Sequence, residues 1–518
     1  MNDQITILWA DDEIELLKPQ LFFLEKKGYQ IITVSNGYDA IDTLEENDRI
    51  DVVFLDESMP GMSGLEALSR IKTSNPQIPV VMITKNEAEN IMEEAIGSQI
   101  DDYLIKPVNP NQILLTLKKI IDNKRLVSEK TATDYRQEFS KISMEMHSAP
   151  DFSGWVDIYK KIISWEIRLD ESQNPEMKEI LTMQKSEANK EFSKFIIKHY
   201  EVWLKNQKGP LMSQDLMKNK VFPTLASGKK VIFLLLDNLR YDQWKIIEPI
   251  LTENYRVEEE DYFYSILPTA TQYSRNSIFA GMLPADIQKK FPNDWVMDHE
   301  EGGKNLSEDT FLFNQVKRIV KKDIKAEYVK VTNVATARQL YDNIYNYLNN
   351  DLTAIVYNFI DMLSHSRTEM EVLKELAGDE KAYRSLTKSW FLNSPLWGAL
   401  QKLADKDIVL FVTTDHGTIR VNNPSKVLAD RETTTNLRYK VGKNLQYDKR
   451  DVLEIKNPLE AGLPKPNMSS TYIFAKEDIF FLYPNNYAYY NNFFKDTFQH
   501  GGISLEEIIC PFVKLLPK

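Results

Sequence analysis

The chain has 518 residues, of which 42% are hydrophobic and 27% are charged, and its formal net charge is −12 at pH 7. This length exceeds one ordinary domain core, so we expect two to four domains. The acidic balance argues against a protein that coats nucleic acid without sequence preference, because such proteins rely on basic surfaces. The acidic net charge does not exclude a local positive cleft for a small anionic substrate.

Cysteine usage and apolar run lengths indicate where the protein works. The single cysteine, Cys510, excludes an internal disulfide and fits a reducing compartment. The longest apolar runs, such as Val231 to Leu236, are too short to cross a bilayer. The first residues lack the basic and apolar regions of a signal peptide. We therefore expect a cytoplasmic protein without a transmembrane segment.

Over residues 1–122, short apolar runs alternate with amphipathic segments. The segment Glu13–Lys27 carries apolar side chains at helical spacing and suits a helix that packs on a sheet. Such alternation is typical of an α/β fold with a doubly wound parallel sheet. The predicted strands are Ile5–Ala10, Ile31–Val34, Val52–Leu55, Val80–Ile83 and Tyr103–Ile105.

Polar residues follow these runs where the strands are predicted to end. Asp11, Asp12 and Asp56 form a set of carboxylates that suits Mg²⁺, because clustered carboxylates cannot all ionise cheaply without a cation. Lys106 can pair with an added negative charge, and Thr84 can donate a hydrogen bond to it.

With these residues, the region resembles the receiver domain of response regulators. The resemblance implies that Asp56 accepts a phosphoryl group from a cognate histidine kinase, and the loop from Asp56 to Gly64 matches the family pattern. Lys85 departs from that pattern, which has a small residue there, and we expect it to alter the lifetime of the phosphoryl group. The other implied roles are Asp11 and Asp12 as Mg²⁺ ligands with Asp56, Thr84 and Lys106 as phosphate contacts, and Tyr103 as the aromatic switch.

Residues 123–220 are rich in Lys, Glu, Gln and Ser, with apolar residues at helical spacing. The pattern predicts a helical bundle whose core contains Trp155 and Trp165. We find no helix with the basic face of a DNA-binding domain. The segment is interpreted as a spacer and dimerisation element. The predicted helices are Asn123–His147, Phe152–Leu169 and Pro175–Lys205.

A second α/β pattern occupies residues 221–518. Three buried strands are predicted at Val231–Leu236, Ala354–Ile360 and Ile408–Thr414, and each is followed directly by an aspartate. If the strands are parallel neighbours, Asp237, Asp361 and Asp415 meet at one edge of the sheet. Unpaired carboxylates would repel there, so the pattern predicts a multivalent cation.

Three of the six histidines lie beside these aspartates or in a similar context. His365 comes four residues after Asp361, His416 adjoins Asp415, and His500 precedes Gly501 and Gly502. Three aspartates and three histidines suffice for two metal ions, and a pair of metals can clamp both oxygens of a phosphoryl transfer. Imidazole mixed with carboxylate favours zinc, and Mn²⁺ stays open.

The segment from Leu267 to Asn276 supplies a candidate nucleophile. Thr271 is predicted at the start of a helix, where free backbone amides favour an anion, and contact with a metal would activate its hydroxyl. A plain helix cap is the structural alternative for Thr271, and Thr269 is the alternative nucleophile.

This part of the chain, roughly residues 225 to 510, resembles the PglZ domains of the alkaline phosphatase superfamily. The shared pattern is an Asp after the first strand, Pro-x-x-Thr with Gly281 ten residues later, Asp-x-x-x-His, Asp-His-Gly and a late His. The resemblance selects Thr271, and it aligns Asn293 with a phosphate contact, whereas His299 is expected at the surface. It implies one Zn²⁺ on Asp237, Thr271, Asp415 and His416, and a second on Asp361, His365 and His500.

Residues 422–499 form a long insertion before His500. It contains Arg431, Thr433–Thr435, Arg438, Tyr439, Lys440 and Lys443. Mixed basic and aromatic residues can bind phosphates and stack on bases, whereas a solvated loop is the alternative.

The order of receiver, helical spacer and PglZ-type hydrolase resembles the PorX-like response regulators, which are linked to type IX secretion. The resemblance implies dimerisation on phosphorylation, zinc-dependent hydrolysis of oligonucleotide or cyclic-nucleotide phosphodiesters, and a secretion-system or sigma-factor partner. The alternatives are an adaptor with a purely structural metal site, a phosphomonoesterase, and a transcription factor, for which a basic helix-turn-helix is missing.

Overall fold

The computed structural model describes residues 5–47, 49–85, 100–171, 174–206, 208–298, 300, 302–369, 378–429 and 434–518. The chain divides into two compact units, Met1–Thr133 and Asp134–Lys518. Within the described ranges, none of the helices combines the length and the apolar character needed to cross a bilayer.

The first unit contains a five-stranded parallel sheet in the order β2-β1-β3-β4-β5. All residues of β1, β3 and β4 are buried, as expected for strands that are covered by helices on both faces. This order is that of a doubly wound sheet, so the predicted fold class is confirmed. The strands are β1 Thr6–Ala10, β2 Gln30–Val34, β3 Val52–Asp56, β4 Val80–Thr84 and β5 Asp102–Ile105.

The first predicted helix, Glu13–Lys27, is divided in the structure. A 3₁₀ turn covers Ile14–Leu17 and an α-helix covers Lys18–Lys26, with Pro19 in its first turn. Proline has no amide hydrogen and fits the first turn of a helix far better than its interior, so the α-helix begins there. Among the described residues, the helices Gly37–Glu46 and Gly64–Ser74 also pack on this sheet, and Ile113 and Leu117 at the start of Pro110–His147 belong to its core.

Three long helices follow the first sheet and are called the linker helices. They are Pro110–His147, Phe152–Glu171 and Pro175–Asn206, so the first begins before the predicted start at Asn123. Trp155 and Trp165 are buried, as predicted for the bundle core. Gln184 adds a buried polar contact, because its amide accepts from the Tyr135 hydroxyl and donates to the carbonyl of Phe139.

The second unit is built on a six-stranded sheet in the order β7-β18-β10-β6-β9-β8. Strands β10, β6, β9 and β8 are parallel, and β18 and β7 complete the sheet in antiparallel fashion. The three strands predicted as neighbours are therefore adjacent, and their carboxyl ends share one edge. The strands are β6 Val231–Leu236, β7 Tyr255–Tyr264, β8 Ala326–Val331, β9 Leu352–Tyr357, β10 Val409–Thr413 and β18 Ile509–Pro517.

Asp361 does not directly follow a strand, contrary to the prediction. Strand β9 ends at Tyr357, and Asp361 lies in the first turn of the helix Phe359–Glu369. The ring of Phe359 stacks on Trp390 with centroids 4.3 Å apart, which packs the start of this helix onto its neighbour. An aspartate in a first turn is favoured by the helix dipole.

All residues of β6, β9 and β10 are buried, as expected for strands covered on both faces, and the insertion folds into small sheets. The helices are Phe222–Ala226, Tyr241–Leu251, Thr271–Ala280, Pro284–Lys290, Glu308–Ile319, Val334–Asn343, Phe359–Glu369, Glu380–Asn393, Pro395–Leu403, Tyr487–Phe494 and Leu505–Ile508. The small sheets pair β11 (Ile419–Arg420) with β17 (Phe498–Gln499), β12 (Asn423–Lys426) with β16 (Ile479–Leu482), and β15 (Thr471–Ala475) with both β13 (Tyr439–Gly442) and β14 (Val452–Ile455). The aromatic residues of Tyr487–Phe494 lie on a short helix in which no residue is buried.

Candidate phosphoacceptor and metal sites

The first candidate site lies at the carboxyl ends of β1 and β3. Carboxylate oxygens of Asp11, Asp12 and Asp56 lie within 4.8 Å of one another. The Lys106 ammonium lies 2.9 Å from both Asp11 Oδ2 and Asp56 Oδ1. Burial raises the pKa of Asp56, while Lys106 opposes that rise. One lysine cannot neutralise three carboxylates, so the geometry fits a divalent cation.

Contacts of Thr84 and Lys85 lie beside this site. The Thr84 hydroxyl donates to Glu57, the residue after the expected phosphoacceptor. The Lys85 ammonium lies 2.7 Å from Glu13 Oε2, and both side chains are exposed. Tyr103 is 40% exposed. The switch roles of Thr84 and Tyr103 stay predictions, and Lys85 is engaged in an ion pair beside the carboxylates.

The second candidate site begins with Asp237 and Asp415, which follow β6 and β10. Their carboxylate oxygens and a ring nitrogen of His416 lie within 4.8 Å of one another, and all three side chains are 0% exposed. The Thr271 hydroxyl lies 3.1 Å from His416 Nε2. The structure thus brings together the four residues predicted for one metal ion.

Asp361 and His500 lie directly beside this group. His500 Nε2 is 3.9 Å from Asp361 Oδ1, and the rings of His416 and His500 stack with centroids 4.4 Å apart. Asn238 connects the two groups, because its side chain donates to Asp361 Oδ1 at 3.4 Å and its backbone amide donates to Asp415 Oδ1 at 3.2 Å. The side chain of His365, predicted as a further ligand, lies outside the described residues.

Backbone carbonyls orient both histidine rings. His416 Nδ1 lies 3.2 Å from the carbonyl oxygen of Gly417, and His500 Nδ1 lies 3.2 Å from that of Thr269. A carbonyl oxygen can only accept, so Nδ1 carries the hydrogen and donates in each ring. The lone pair of a neutral ring is then on Nε2, the arrangement typical of a metal-binding histidine.

The electrostatics of this pocket also fit a cation. Asp237 Oδ1 and Asp415 Oδ2 are buried and accept no hydrogen bond from the part of the chain that the structure describes. Burial raises the pKa of Asp237 well above its usual value and that of Asp415 to about 6, and burial lowers the pKa of His416. Carboxylate oxygens and neutral imidazole nitrogens are a donor set that divalent transition metals accept.

The two candidate threonines have different surroundings. Thr269 is buried, and its hydroxyl accepts from the Gly501 amide and donates to the Gly502 carbonyl, both at 3.0 Å. Thr271 is the first residue of the helix Thr271–Ala280, and its hydroxyl contacts His416. Thr269 therefore has a structural role, and the geometry favours Thr271 as the reactive hydroxyl.

Sequence reasoning missed residues that support this site. Arg275 lies one helical turn after Thr271, and its Nη1 donates to Asp237 Oδ2 at 2.6 Å. Asn305 donates to the carbonyl of Thr271 at 3.1 Å. The i,i+4 spacing from Thr271 to Arg275 was a usable signal, since such pairs share a helix face. Asn293, predicted to contact phosphate, is exposed in a turn, and His299 lies outside the described residues.

The basic and aromatic residues of the insertion are largely internal. Arg438 is buried and donates to both oxygens of Glu507, at 3.2 and 2.6 Å. Tyr439 is buried and donates to Asp298 at 3.1 Å. Lys440 is 1% exposed and donates to the Thr434 carbonyl at 2.8 Å, and burial lowers its pKa to about 7. These three residues therefore belong to the framework, whereas Arg431 and Thr433 lie outside the described residues.

Family models match the chain in three consecutive segments. The receiver domain of response regulators matches residues 7–118, and the PorX response regulator linker domain matches residues 125–204. The BREX system PglZ alkaline phosphatase-like domain matches residues 216–515, which is more than half of the chain. Receiver domains and alkaline phosphatase-like domains generally use divalent metals, and a receiver implies a histidine kinase as partner.

Curated relatives match over a smaller part of the chain. The transcriptional regulatory protein ZraR of Klebsiella oxytoca is 36% identical over 133 residues, which are 26% of this chain and 30% of the relative. The probable transcriptional regulatory protein TcrX of Mycobacterium tuberculosis is 32% identical over 117 residues, 23% of this chain and 50% of the relative. The chain therefore spans 30% to 50% of the length of these relatives.

Solved structures include a response regulator receiver domain protein from Clostridium thermocellum. It is 31% identical, covers 24% of this chain and 98% of its own, and has a TM-score of 0.23. The family models cover nearly all of the chain in a fixed order. The chain belongs to the PglZ family and, within it, to the PorX-like response regulators, in which a receiver and a linker precede the alkaline phosphatase-like domain.

Proposed function

We propose that phosphorylation of Asp56 in the receiver controls a two-metal phosphodiesterase in the PglZ domain. The observation that carries this proposal is the meeting of Asp237, Asp361, Asp415 and the two histidines His416 and His500 at one sheet edge. The Thr271 hydroxyl lies 3.1 Å from His416 Nε2, in the same pocket. Domain boundaries at residues 122 and 220 are part of the proposal.

Thr271 is proposed as the nucleophile. Its oxygen attacks phosphorus, one alcohol leaves, and water then hydrolyses the phosphothreonine. The backbone amides at the start of the helix Thr271–Ala280 favour the phosphate anion. The carbonyls of Gly417 and Thr269 keep Nε2 of the two histidines available.

Two ions fit the residues present. Asp237, Thr271, Asp415 and His416 would hold one, and Asp361, His365 and His500 the other. When bound, such a pair lowers the pKa of a coordinated hydroxyl and stabilises charge on the attacking and leaving oxygens. Zinc is the proposed metal of this site and Mg²⁺ that of the receiver, where Asp11, Asp12 and Asp56 would hold it.

The substrate class and the partners follow from the resemblance to the PorX-like regulators. We propose oligonucleotide or cyclic-nucleotide phosphodiesters as substrates, a histidine kinase as phosphodonor, and homodimerisation on phosphorylation. A type IX secretion component or a sigma factor is the proposed downstream partner. Thr84, Lys106 and Tyr103 are proposed to report the phosphate on Asp56.

The direct test of the chemistry is Thr271→Val with a chromogenic phosphodiester, bis(p-nitrophenyl) phosphate. We expect turnover to fall by about 10³-fold or more, because removal of a nucleophile leaves only binding and electrostatic effects. Thr332→Val is the matched control, because Thr332 is exposed in the loop after β8. The melting temperature should stay unchanged in both variants, and wild-type turnover by Thr271→Val would remove this residue from the mechanism.

The same assay separates the alternatives. A phosphomonoesterase hydrolyses p-nitrophenyl phosphate faster than the diester. An adaptor with a structural metal gains thermal stability from zinc and hydrolyses neither compound. For the receiver, Asp56→Ala should abolish labelling by acetyl phosphate, and labelling that persists would place the acceptor elsewhere.

A further inference from the structure

One face of the third linker helix, Pro175–Asn206, contacts the PglZ domain. The face is formed by Lys185, Asn189, Ser193, Ile196 and Tyr200, whose spacings of three and four residues place them on a single stripe. All but Lys185 are buried. Asn189 and Tyr200 are eleven positions apart, which corresponds to about 16 Å along the helix axis, so one helix contacts two separate segments of the PglZ domain.

Asn189 binds the segment that follows His500. Its Oδ1 accepts from the backbone amide of Leu505 at 2.8 Å, and its Nδ2 donates to Glu506 Oε2 at 3.0 Å. Lys185 adds an ion pair, with its Nζ 3.2 Å from Glu506 Oε1. Asn189 is 4% exposed, so water cannot readily replace these hydrogen bonds. Both ends of the amide are therefore used to fix the start of the helix Leu505–Ile508.

This short helix also stabilises the loop that carries His500. Glu507 Oε1 accepts from the Gly502 amide at 2.8 Å. The neighbouring amide of Gly501 donates to the Thr269 hydroxyl at 3.0 Å, and His500 Nδ1 donates to the Thr269 carbonyl at 3.2 Å. A displacement of the helix Leu505–Ile508 would therefore displace the His500 ring.

The same short helix also contacts the backbone beside His416. The Gly417 amide donates to the Glu507 carbonyl at 3.3 Å. A Cβ on Gly417 would lie 2.1 Å from the carbonyl oxygen of Glu506, so the two backbones meet only because this residue is glycine.

At its other end, the linker helix contacts the loop before Thr271. The Tyr200 hydroxyl accepts from the backbone amide of Leu267 at 2.8 Å, and Tyr200 is buried. Leu267 directly precedes Pro268, and the segment from Pro268 ends at the candidate nucleophile Thr271. One helix face thus contacts the segment before Thr271 and the segment after His500, which carry two of the proposed site residues.

We propose that Asn189 and Tyr200 are positioning residues, through which the third linker helix sets the locations of His500 and Thr271 and so regulates metal binding and turnover. The proposal rests on the proposed function and adds the contacts through which the linker helix affects the catalytic site. Asn189 acts through Leu505 and Glu506, and Tyr200 acts through Leu267. Neither residue is proposed to contact the substrate.

The test compares Asn189→Asp, Tyr200→Phe and Ser193→Ala in the full chain. Asn189→Asp is nearly isosteric, keeps an acceptor for Leu505 and places a carboxylate beside Glu506. Tyr200→Phe removes the acceptor of the Leu267 amide. Ser193→Ala is the matched control, because this buried hydroxyl lies on the same face and has no hydrogen-bond partner among the residues with described positions. Circular dichroism and melting temperature establish folding.

Zinc affinity is measured by competition with a chromophoric chelator, and kcat and KM are measured with bis(p-nitrophenyl) phosphate. Asn189→Asp should weaken one of two zinc sites by about tenfold and lower kcat, as changes to outer-shell partners do. Tyr200→Phe should lower kcat several-fold and keep both zinc affinities. KM should stay within about twofold in both variants, and Ser193→Ala should match wild type.

The outcomes separate this inference from the proposed function. If Asn189→Asp and Tyr200→Phe lower only the melting temperature, with zinc affinities and kcat as in wild type, the residues are merely structural and the inference is overturned. If wild type binds two zinc ions but hydrolyses no diester, the proposed function fails, and the zinc affinity of Asn189→Asp alone decides whether the linker positions His500. A wild-type protein that binds no metal overturns both.

Discussion

Replacing Arg275 by methionine is expected to destabilise the metal-free second unit by about 3–5 kcal/mol, the cost of leaving a buried charge without its partner. Arg275 is 1% exposed, and its Nη1 donates to Asp237 Oδ2 at 2.6 Å. Its Nε donates to Glu308, which keeps Lys330 as a partner at 2.9 Å. Asp237 has no other cationic partner within 4 Å among the described side chains, so the loss falls mainly on it.

Urea unfolding at pH 7.5 measures this effect, with chelator present and again with zinc. Tryptophan fluorescence is a suitable probe, because every tryptophan except Trp9 lies in the second unit. Arg318→Met is the control, since Arg318 donates to the backbone carbonyl of Ala280 at 2.8 Å. That loss should be about 1.5 kcal/mol or less. Zinc should restore part of the stability of Arg275→Met, because a bound cation replaces the missing charge beside Asp237. A loss below about 1 kcal/mol without metal would refute this account of the buried pair.

Three further changes test other parts of the structure. Burial lowers the pKa of Lys440 from 10.5 to about 7, so the unfolded chain binds more protons there between these values and stability rises with pH. Lys440→Met should therefore stabilise the protein at pH 7 by about 2–4 kcal/mol in urea unfolding and flatten its pH dependence, whereas parallel curves would contradict the shift. Gly417→Ala should cost at least about 2 kcal/mol and weaken zinc binding, because its Cβ would meet the Glu506 carbonyl at 2.1 Å; an unchanged melting temperature would count against this contact. Lys85→Ala removes an exposed ion pair with Glu13, so stability should change by less than about 1 kcal/mol, while the lifetime of the phosphoryl group on Asp56, measured by its loss after labelling, should change several-fold; an unchanged lifetime would deny Lys85 the role expected from the sequence.

Strand placement and the edge of the second sheet could be predicted, because buried parallel strands are short apolar runs and their ends are marked by polar residues. Asp237 and Asp415 follow this rule. Asp361 does not, since Phe359 and Ile360 extend the apolar run although they already belong to a helix. An apolar run does not by itself reveal where a strand gives way to a helix.

The residues that support the candidate site were harder to predict, because their partners are distant in sequence. Arg438 was expected among basic and aromatic residues that bind phosphates, yet it pairs with Glu507 in the interior. Asn189 contacts Leu505 and Glu506 across more than 300 positions of the chain. Only the fold brings such partners together, and neither periodicity nor spacing carries that information.

The central claim is that one bimetallic centre catalyses the hydrolysis of a phosphodiester. The most direct measurement is the metal content of the purified chain by elemental analysis, paired with diester hydrolysis before chelation, after chelation and after zinc is returned. We expect two transition-metal ions per chain, loss of hydrolysis with the metal, and recovery with zinc. Hydrolysis that survives complete removal of the metal would contradict the claim.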